Sequence, residues 1–409
     1  MLVFACGCPA APAASPGPTL PGPPYMGVDT WYGFGSAINQ ATVVSLTDAV
    51  LARGLASAGY RYVWLDAGWW QGDRAPDGAI RVDPTQWPNG MAWMVQYIHS
   101  RGLLAGIYTD AGAGGCNSGG SLGHYQQDVN TFTSWGFDAV KVDYCGGNAL
   151  RIDPRVAFSQ FAQALAKADP HRPMLFALCN GAVPGEYPGH YPSYDKSAFA
   201  SFSFAPQIAT SWRTGPDIGV PGSVVFASVL RNLVLDAAHP RAAGGGHWND
   251  PDYLVPEAGM SALEAQTQFT MWAMIAAPMM LSGPIMSYSP QTQKMVTNRR
   301  VIAISQDPLG LQGKQIGRTG MVQIWRKHLV GAENAVALLN PGARRQRVLL
   351  TPARAGLRGV QELQAVNVWT GRVIARRTRR LRLAVPAHGA VLLRLRAATS
   401  RPAGGVGLG

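Results

Sequence analysis

Short hydrophobic segments alternate with amphipathic stretches over the first three quarters of the chain. The hydrophobic segments are rich in β-branched and aromatic residues, which is typical of buried parallel strands. The stretches between them space their apolar residues as helices do. Repetition of this order predicts parallel βα units. The predicted strands are 27–31, 60–66, 103–108, 139–143, 174–179, 209–213, 247–249 and 279–282, and the predicted helices are 41–57, 91–100, 124–135, 155–168, 224–238 and 262–276.

The span of this pattern predicts a closed α/β fold. Eight strands over residues 25–307 match a (β/α)8 TIM barrel, which usually needs roughly 250 residues. A doubly wound open sheet is the alternative, but no GxGxxG pattern follows the first strand to support it.

After residue 307 the pattern of hydrophobic and turn-forming residues changes. Short β-rich segments separated by turn residues predict a C-terminal antiparallel β-sandwich over 308–398. Its predicted strands are 321–326, 335–339, 346–350, 364–369, 381–385 and 390–395. We interpret residues 1–24 as a leader or spacer, with a truncated signal segment as one explanation, and residues 399–409 as a disordered tail.

Four hydrophobic segments in the first 220 residues end in an aspartate, namely Asp66, Asp110, Asp143 and Asp217. Burying a carboxylate without partners costs several kcal/mol or more, so this repetition predicts a function. In a barrel the active site forms at the carboxyl ends of the strands. Glycoside cleavage requires two carboxylates there, and a separation of about 5–5.5 Å would make the reaction retaining.

Composition and charge exclude several other classes of protein. The chain has 409 residues and a net charge of +12, with many arginines in its last 70 residues. These arginines alternate with strand-like leucine and valine, which predicts a solvated face and no nucleic-acid partner. No apolar run reaches the about 18–20 residues of a membrane span. The five cysteines lack zinc-site spacing, so we expect no metal and a disulfide instead.

Nine ordered motifs in the chain resemble glycoside hydrolase family 27, the α-galactosidase and α-N-acetylgalactosaminidase family. The similarity extends from about residue 24 to residue 396, and its densest part is WGFDAVKVDYC at 135–145. The other motifs are YMGVDTW (25–31), LDAGW (65–69), HSRGL (99–103), GIYTD (106–110), GGSLGH (119–124), SWR (211–213), GHWNDPD (246–252) and ISQDPLG (304–310).

This resemblance implies a role for each matching residue. Asp143 would be the nucleophile, and Asp217 would be the acid/base, which must hold a proton. Lys141 lies two residues before Asp143, hence on the same strand face, where its charge favours an ionised carboxylate. The resemblance also implies a Cys116–Cys145 disulfide, which would favour an oxidising, extracytoplasmic compartment, and no cofactor. The residues expected to bind the sugar are Trp31, Asp66, Tyr108, Lys141, Cys179, Asn180, Arg213 and Asp252.

The chain departs from the family pattern at two places. Ala67 stands where typical α-galactosidases have a second aspartate, which grips the sugar on its C4 and C6 side. After Cys179 the family continues Glu-Trp, but this chain continues Asn180-Gly181-Ala182-Val183, in the loop that selects the C2 substituent. Three functions remain open. They are an α-galactosidase; the same enzyme class acting on a β-L-arabinopyranoside, an α-N-acetylgalactosaminide or an α-glucan end; and a catalytically silent carbohydrate-binding protein. The oligomeric state is not predicted.

Overall fold

The computed structural model describes residues 22–169, 171–180 and 200–398. Eight parallel strands form one sheet with the neighbour order β7-β6-β5-β4-β3-β2-β1-β8. The strands are β1 (Met26–Asp29), β2 (Tyr62–Leu65), β3 (Leu104–Asp110), β4 (Ala139–Asp143), β5 (Leu175–Leu178), β6 (Ser211–Arg213), β7 (Trp248–Asp250) and β8 (Met279–Ser282). All eight predicted strands are therefore present, with ends that differ from the predicted ones by at most two residues.

The sheet closes on itself through the segment that follows β7. Leu254 forms a parallel bridge with Leu281 of β8. Its N–H donates to the carbonyl of Met280 at 2.8 Å, and its own carbonyl accepts from the N–H of Ser282 at 2.9 Å. These bonds join the segment after β7 to β8 and so close the sheet, and the predicted TIM barrel is confirmed.

Helices separate most of the strands and pack around the barrel. The predicted helix 41–57 is wrong in one respect, because it is interrupted at Gly54, whose φ of 68° does not belong to a right-handed helix. The α-helices are α1 (Trp31–Phe34), α2 (Gln40–Ala52), α3 (Leu55–Ala58), α4 (Gly90–Ser100), α5 (Tyr125–Trp135), α6 (Cys145–Ala149), α7 (Pro154–Ala168), α8 (Phe226–Ala237), α9 (Ala262–Met274), α10 (Pro290–Val296) and α11 (Arg299–Ser305). Short 3₁₀ helices occupy Ser201–Ser203, Ala205–Gln207, Ile285–Ser287 and Val330–Ala332.

The remainder of the described chain forms the predicted antiparallel β domain. A six-stranded sheet has the order β14-β13-β16-β11-β10-β9, and β12 pairs with β15 in a second sheet. The strands are β9 (Lys314–Thr319), β10 (Val322–Leu329), β11 (Glu333–Leu339), β12 (Gln346–Leu350), β13 (Leu363–Asn367), β14 (Val373–Thr378), β15 (Leu381–Val385) and β16 (Ala390–Ala397). The sequence-based interpretation omitted β9 and β14, the two edge strands of the larger sheet.

The six-stranded sheet has two apolar faces that serve different cores. Along β11, Ala335 and Ala337 belong to the core shared with the barrel, whereas Val336 and Leu338 belong to the core between the two sheets. Alternate side chains of a strand point to opposite faces, so one strand supplies both cores. Helix α9 carries the barrel side of this interface, where the Thr270 hydroxyl accepts from the indole N–H of Trp369 at 3.1 Å.

No helix among the described residues is long and apolar enough to cross a membrane.

Candidate active site

Carboxylates gather at the carboxyl ends of the barrel strands. Asp29, Asp110 and Asp143 are the last residues of β1, β3 and β4, and Asp66 follows β2 directly. Asp217 does not end a strand, contrary to the sequence-based interpretation. Strand β6 already ends at Arg213, and Asp217 lies four residues further on, in the loop that follows.

Lys141 in the middle of β4 holds two of these carboxylates. Its ammonium nitrogen lies 2.7 Å from Oδ2 of Asp66 and 3.7 Å from Oδ1 of Asp143. Burial alone would lower the pKa of Lys141, but the charges of Asp143 and Asp66 raise it well above its ordinary value. Burial alone would likewise raise the pKa of Asp66, yet Lys141 lowers it overall. Both partners of this pair are therefore ionised, and Lys141 is bonded more closely to Asp66 than to its strand neighbour.

The carboxylate of Asp143 has fewer hydrogen-bond partners than that of Asp66. Its Oδ1 is buried and accepts no hydrogen bond from any described residue, while the side chain keeps 11% of its surface exposed. Burial raises the pKa of Asp143 to about 6, against the opposing effect of Lys141 and with further contributions from Asp66 and Asp217. A carboxylate with an unbonded oxygen at the floor of a pocket can act as a nucleophile.

Arg213 organises the opposite side of the site. One of its terminal nitrogens lies 2.8 Å from Oδ1 of Asp217 and 3.0 Å from Oδ2 of Asp252, and the other donates to the sulfur of Cys179 at 3.4 Å. The Asp217 side chain is 67% exposed, whereas that of Asp252 is buried. Asp217 is thus attached at one oxygen and open to the solvent.

The backbone of Asp252 adopts φ of 85°, in the left-handed region that non-glycine residues rarely occupy. Two backbone N–H groups hold the side chain there, since Ile218 donates to Oδ2 at 2.7 Å and Tyr253 donates to Oδ1 at 2.8 Å. Burial raises the pKa of Asp252 to about 6, although Arg213 opposes this shift. Such strained conformations cluster at functional sites.

One pocket brings most of the predicted residues together. Asp143 and Asp217 face it, together with Trp31, Asp66, Ala67, Cys116, Lys141, Arg213, Asp252, Tyr32 and Tyr253.

Tyr108, Cys179 and Asn180 are predicted sugar-binding residues that are not among the described residues lining this pocket. Tyr108 is fully buried, its hydroxyl accepts from the N–H of Cys116 at 3.0 Å, and its ring lies 5.5 Å from the Lys141 nitrogen. Cys179 and Asn180 are buried as well. The following Gly181, Ala182 and Val183 lie outside the described residues, so the predicted contact with the C2 substituent is not tested.

The disulfide implied by the resemblance is present between Cys116 and Cys145, with a Cα separation of 5.4 Å. Asp110 fixes the same region, because its carboxylate accepts from the N–H groups of Gly112, Cys145 and Gly146 at 2.6, 2.7 and 3.2 Å. Burial raises the pKa of Asp110 to about 7 despite these bonds. Asp110 therefore supports the loop after β4.

The segment after β2 is closely packed around Ala67. Its N–H donates to Oδ1 of Asp66 at 2.7 Å, and Ala67 is almost fully buried. The next residue, Gly68, has φ of 103°, and a Cβ atom there would lie 2.4 Å from the carbonyl oxygen of Ser36. A glycine is therefore required at position 68, and Ala67 is among the residues that line the pocket.

Sequence reasoning missed Tyr32 and Tyr253, which line the pocket, and Asp29, which lies behind it. The Tyr253 hydroxyl lies 2.9 Å from Oδ2 of Asp66 and 3.1 Å from Oδ2 of Asp29. The Tyr32 hydroxyl donates to the carbonyl of Gly219 at 2.8 Å. The predicted first strand, 27–31, placed Asp29 in its interior, so the rule of strand-terminal aspartates did not select it, whereas the observed β1 ends at Asp29. Tyr253 carried no comparable signal beyond its position next to Asp252.

A TIM barrel whose mouth combines two exposed or partly exposed carboxylates with a lysine and an arginine is characteristic of a glycoside hydrolase. A family model described as alpha galactosidase A matches residues 27–307, and one described as the alpha galactosidase C-terminal β-sandwich domain matches residues 319–395. The chain belongs to the α-galactosidase family, glycoside hydrolase family 27, and is a glycosidase.

Individual relatives agree with this assignment over most of their length. Alpha-galactosidase A of Cellvibrio japonicus is 32% identical over 391 residues, which cover 91% of this chain and 91% of that protein. The alpha-galactosidase of Cyamopsis tetragonoloba is 32% identical over 349 residues, covering 85% and 79%. The crystal structure of alpha-galactosidase I from Mortierella vinacea superimposes with a TM-score of 0.80 at 27% identity, covering 93% of this chain and 98% of that one.

Proposed function

We propose that this glycosidase releases terminal α-galactosyl residues with retention of configuration, with Asp143 as nucleophile and Asp217 as acid/base. Asp143 attacks the anomeric carbon while Asp217 gives its proton to the departing oxygen, which leaves a glycosyl-aspartate. A water molecule then attacks the same carbon, Asp217 takes its proton, and the Asp143 carboxylate departs. The observation that carries the proposal is the buried, unbonded Oδ1 of Asp143, 3.7 Å from Lys141, in the pocket that also contains Asp217.

The two carboxylates suit these separate roles. Lys141 favours the ionised form of Asp143, as a nucleophile requires. Asp217 is mostly exposed, so it can reach a leaving-group oxygen at the entrance of the pocket and exchange its proton with water. Asp66 and Asp252 are buried and bonded to cations, which suits them to bind hydroxyl groups of the glycone.

Substitution of Asp143 by asparagine tests the nucleophile. We expect Asp143→Asn to lower kcat by a factor on the order of 10³ or more while the circular dichroism spectrum stays unchanged. Azide supplied to Asp143→Ala should restore turnover and give a glycosyl azide of inverted configuration, because azide then replaces the missing carboxylate. Asp217→Ala with azide should give the retained configuration instead. Near-normal turnover by Asp143→Asn would contradict the assignment.

Asp110→Asn is a matched control for that experiment. Asp110 pairs in register with Asp143 on the neighbouring strand, but its carboxylate faces backbone N–H groups of the supporting loop. The change should lower thermal stability and leave azide without effect on turnover.

A different glycone is the second candidate, and Ala67 is the observation that favours it. A buried methyl group cannot accept hydrogen bonds from a sugar hydroxyl, and loss of a charged acceptor typically costs about 1.5–3 kcal/mol. A β-L-arabinopyranoside, which is galactose without its C6 hydroxymethyl group, needs fewer acceptors on that side. An α-N-acetylgalactosaminide or an α-glucan end is a further possibility within the same mechanism.

Initial rates on the nitrophenyl α-galactoside, α-N-acetylgalactosaminide, β-L-arabinopyranoside and α-glucoside decide between these glycones. Preference for the α-galactoside would support the first candidate. Preference for another glycoside would support the second, and Ala67→Asp should then raise kcat/KM for the α-galactoside relative to that glycoside by about one to two decades. If neither the parent nor Asp143→Asn hydrolysed any of the four glycosides, the result would favour a catalytically inactive carbohydrate-binding protein.

We also propose that the protein works outside the cytoplasm, on an oligosaccharide or polysaccharide. The Cys116–Cys145 disulfide beside the pocket supports an oxidising compartment. Fractionation of the producing cells, followed by thiol labelling of these two cysteines, tests this localisation. A reduced, labelled pair in a cytoplasmic fraction would contradict it.

A further inference from the structure

Asp29 is a fully buried carboxyl group that the proposed reaction does not use. It ends β1, is 0% exposed, and is not among the residues that line the pocket. Its Oδ1 accepts from the N–H of Trp31 at 2.8 Å and lies 3.0 Å from the hydroxyl oxygen of Ser282. Its Oδ2 faces the Tyr253 hydroxyl at 3.1 Å. The two oxygens of Asp29 therefore meet different partners.

The hydrogen atoms around Oδ2 can be counted. The Tyr253 hydroxyl has one hydrogen, yet its oxygen lies within bonding distance of Oδ2 of Asp29 and of Oδ2 of Asp66. Lys141 bonds to that same Asp66 oxygen at 2.7 Å, so Asp66 is the ionised member and accepts the tyrosine hydrogen. If Asp29 were ionised, its Oδ2 and the Tyr253 hydroxyl oxygen would face each other with no hydrogen atom between them. A proton on Oδ2 of Asp29 removes this conflict, because it can be donated to Tyr253 or to Asp66.

The partners of Oδ1 agree with a neutral acid. The Ser282 hydroxyl oxygen accepts from the N–H of Tyr32 at 2.8 Å, which leaves its hydrogen free to bond to Asp29 Oδ1. Oδ1 thus accepts two hydrogen bonds, as the carbonyl oxygen of a carboxylic acid does, and Oδ2 is the oxygen that bears the proton.

The charges that face Asp29 favour the same protonation state. The titratable groups around it are Asp66 after β2, Lys141 on β4 and Tyr253 after β7, while β8 contributes the Ser282 hydroxyl. Burial and the negative charge of Asp66 raise the pKa of Asp29 well above its ordinary value, and Lys141 offsets only part of this. Burial also raises the pKa of Tyr253, which keeps its hydroxyl protonated.

We propose that Asp29 is a positioning residue, a neutral carboxylic acid whose proton holds Asp66 in the orientation that binds the glycone. The inference rests on the proposed function, since it takes Asp66 as a glycone-binding carboxylate. Asp66 Oδ2 is held by Lys141 and Tyr253, and Oδ1 accepts from the N–H of Ala67. Asp66 also lines the pocket, so its remaining lone pairs are the ones left to accept from a sugar hydroxyl. Ionisation of Asp29 would put a second negative charge beside Asp66 and disturb this orientation.

Three variants test the proposal on the glycoside of the panel that the enzyme prefers. Asparagine at position 29 can place its carbonyl where Oδ1 is and its amide N–H where the proton of Oδ2 is, whereas leucine has neither. We expect Asp29→Asn to retain kcat/KM at pH 7 within about threefold, and Asp29→Leu to raise KM by about tenfold or more with a smaller effect on kcat. Tyr253→Phe, which removes only the bridging hydroxyl, should also raise KM. An Asp29→Asn variant as impaired as Asp29→Leu would overturn the proposal.

Infrared difference spectra of the free enzyme measure the proton itself and do not depend on turnover. The spectrum of the parent minus that of Asp29→Asn at pH 7 should contain the carbonyl band of a protonated carboxylic acid. A carboxylate band in its place would overturn the proposal. If the infrared band is found but no glycoside is hydrolysed, the proposed function has failed and the protonation of Asp29 has not. Circular dichroism of each variant identifies loss of activity through misfolding, and Tyr253→Phe then replaces Asp29→Leu in the comparison.

Discussion

The barrel mouth and the interface between the two domains each bury a lysine, and the two lysines have opposite surroundings. Lys141 in the mouth lies 2.7 Å and 3.7 Å from two carboxylates. Lys327 on β10, only 1% exposed, instead donates to the backbone carbonyls of Ala273 and Ser305 at 3.2 and 3.5 Å. Carboxylates raise the pKa of the first above its ordinary value, whereas burial lowers the pKa of the second to about 7.

This difference distinguishes a lysine in a functional site from a lysine that is buried only because it packs between two domains. In the mouth, Asp66, Asp143 and Asp252 each lie within 4 Å of a lysine or arginine nitrogen. Among the described residues, the one fully buried carboxylate oxygen without a hydrogen bond belongs to the proposed nucleophile Asp143. At the interface, the methylene chain of Lys327 packs between α9 and the sheet. Its amine donates to backbone carbonyls, and Asp307 is the one carboxylate among the described residues that raises its pKa. Burial of a charge indicates function when the surrounding groups are arranged to keep that charge.

Replacement of Lys141 by methionine should have the largest effect. Asp66 and Asp143 would lose their common cation, and removal of one partner from a buried ion pair typically destabilises a protein by about 3–5 kcal/mol. We expect a lower Tm and a fall in kcat/KM on the order of 10²-fold or more, because glycone binding and nucleophile ionisation both suffer. Steady-state kinetics and thermal unfolding measure the two effects. A variant as stable as the parent would show that Lys141 is not what maintains these carboxylates.

The pH dependence of activity should be the next largest effect. A carboxylate nucleophile must be ionised, and burial raises the pKa of Asp143 to about 6. As the pH falls through 6, Asp143 gains a proton, and kcat/KM should then decline about tenfold per pH unit. The midpoint belongs to the coupled set that includes Asp66 and Lys141. Lys141→Met should shift this acidic decline of kcat/KM to higher pH. If the decline stays at the same pH, it is caused by the titration of another group.

The sequence was sufficient for the barrel because its signals come from buried positions. Strands with two buried faces are continuously hydrophobic, so all eight were identified, and the aspartates at their ends stood out against that background. The edge strands β9 and β14 were missed because their side chains are largely exposed and polar, as in KQIGRT and VIARRT.

The contacts within the site were less predictable than its members. Lys141 was expected beside Asp143, but which of two carboxylates it bonds more closely depends on how β2 and β4 lie on either side of β3. Tyr253 lies in the segment that closes the barrel beside β8, and it reaches Asp29 and Asp66 although they are 224 and 187 residues away in sequence. Side-chain contacts at such separations follow from barrel closure, and no local pattern encodes them.

Replacement of Lys327 by methionine should have the smallest effect on activity and should change stability in the direction opposite to Lys141→Met. The pKa of Lys327 is about 7 in the folded protein and about 10.5 in the unfolded chain, so the folded state binds fewer protons between these values. The stability of the parent should therefore rise with pH across this window, while below pH 7 it carries the full cost of a buried charge. At pH 6 we expect the methionine variant to be more stable by about 1–4 kcal/mol, with kcat/KM unchanged. Its advantage should shrink toward pH 9, as the parent loses its buried proton. Thermal unfolding of both proteins across this pH range measures the difference. An advantage that did not vary with pH would mean that Lys327 stays protonated in the folded protein throughout this range.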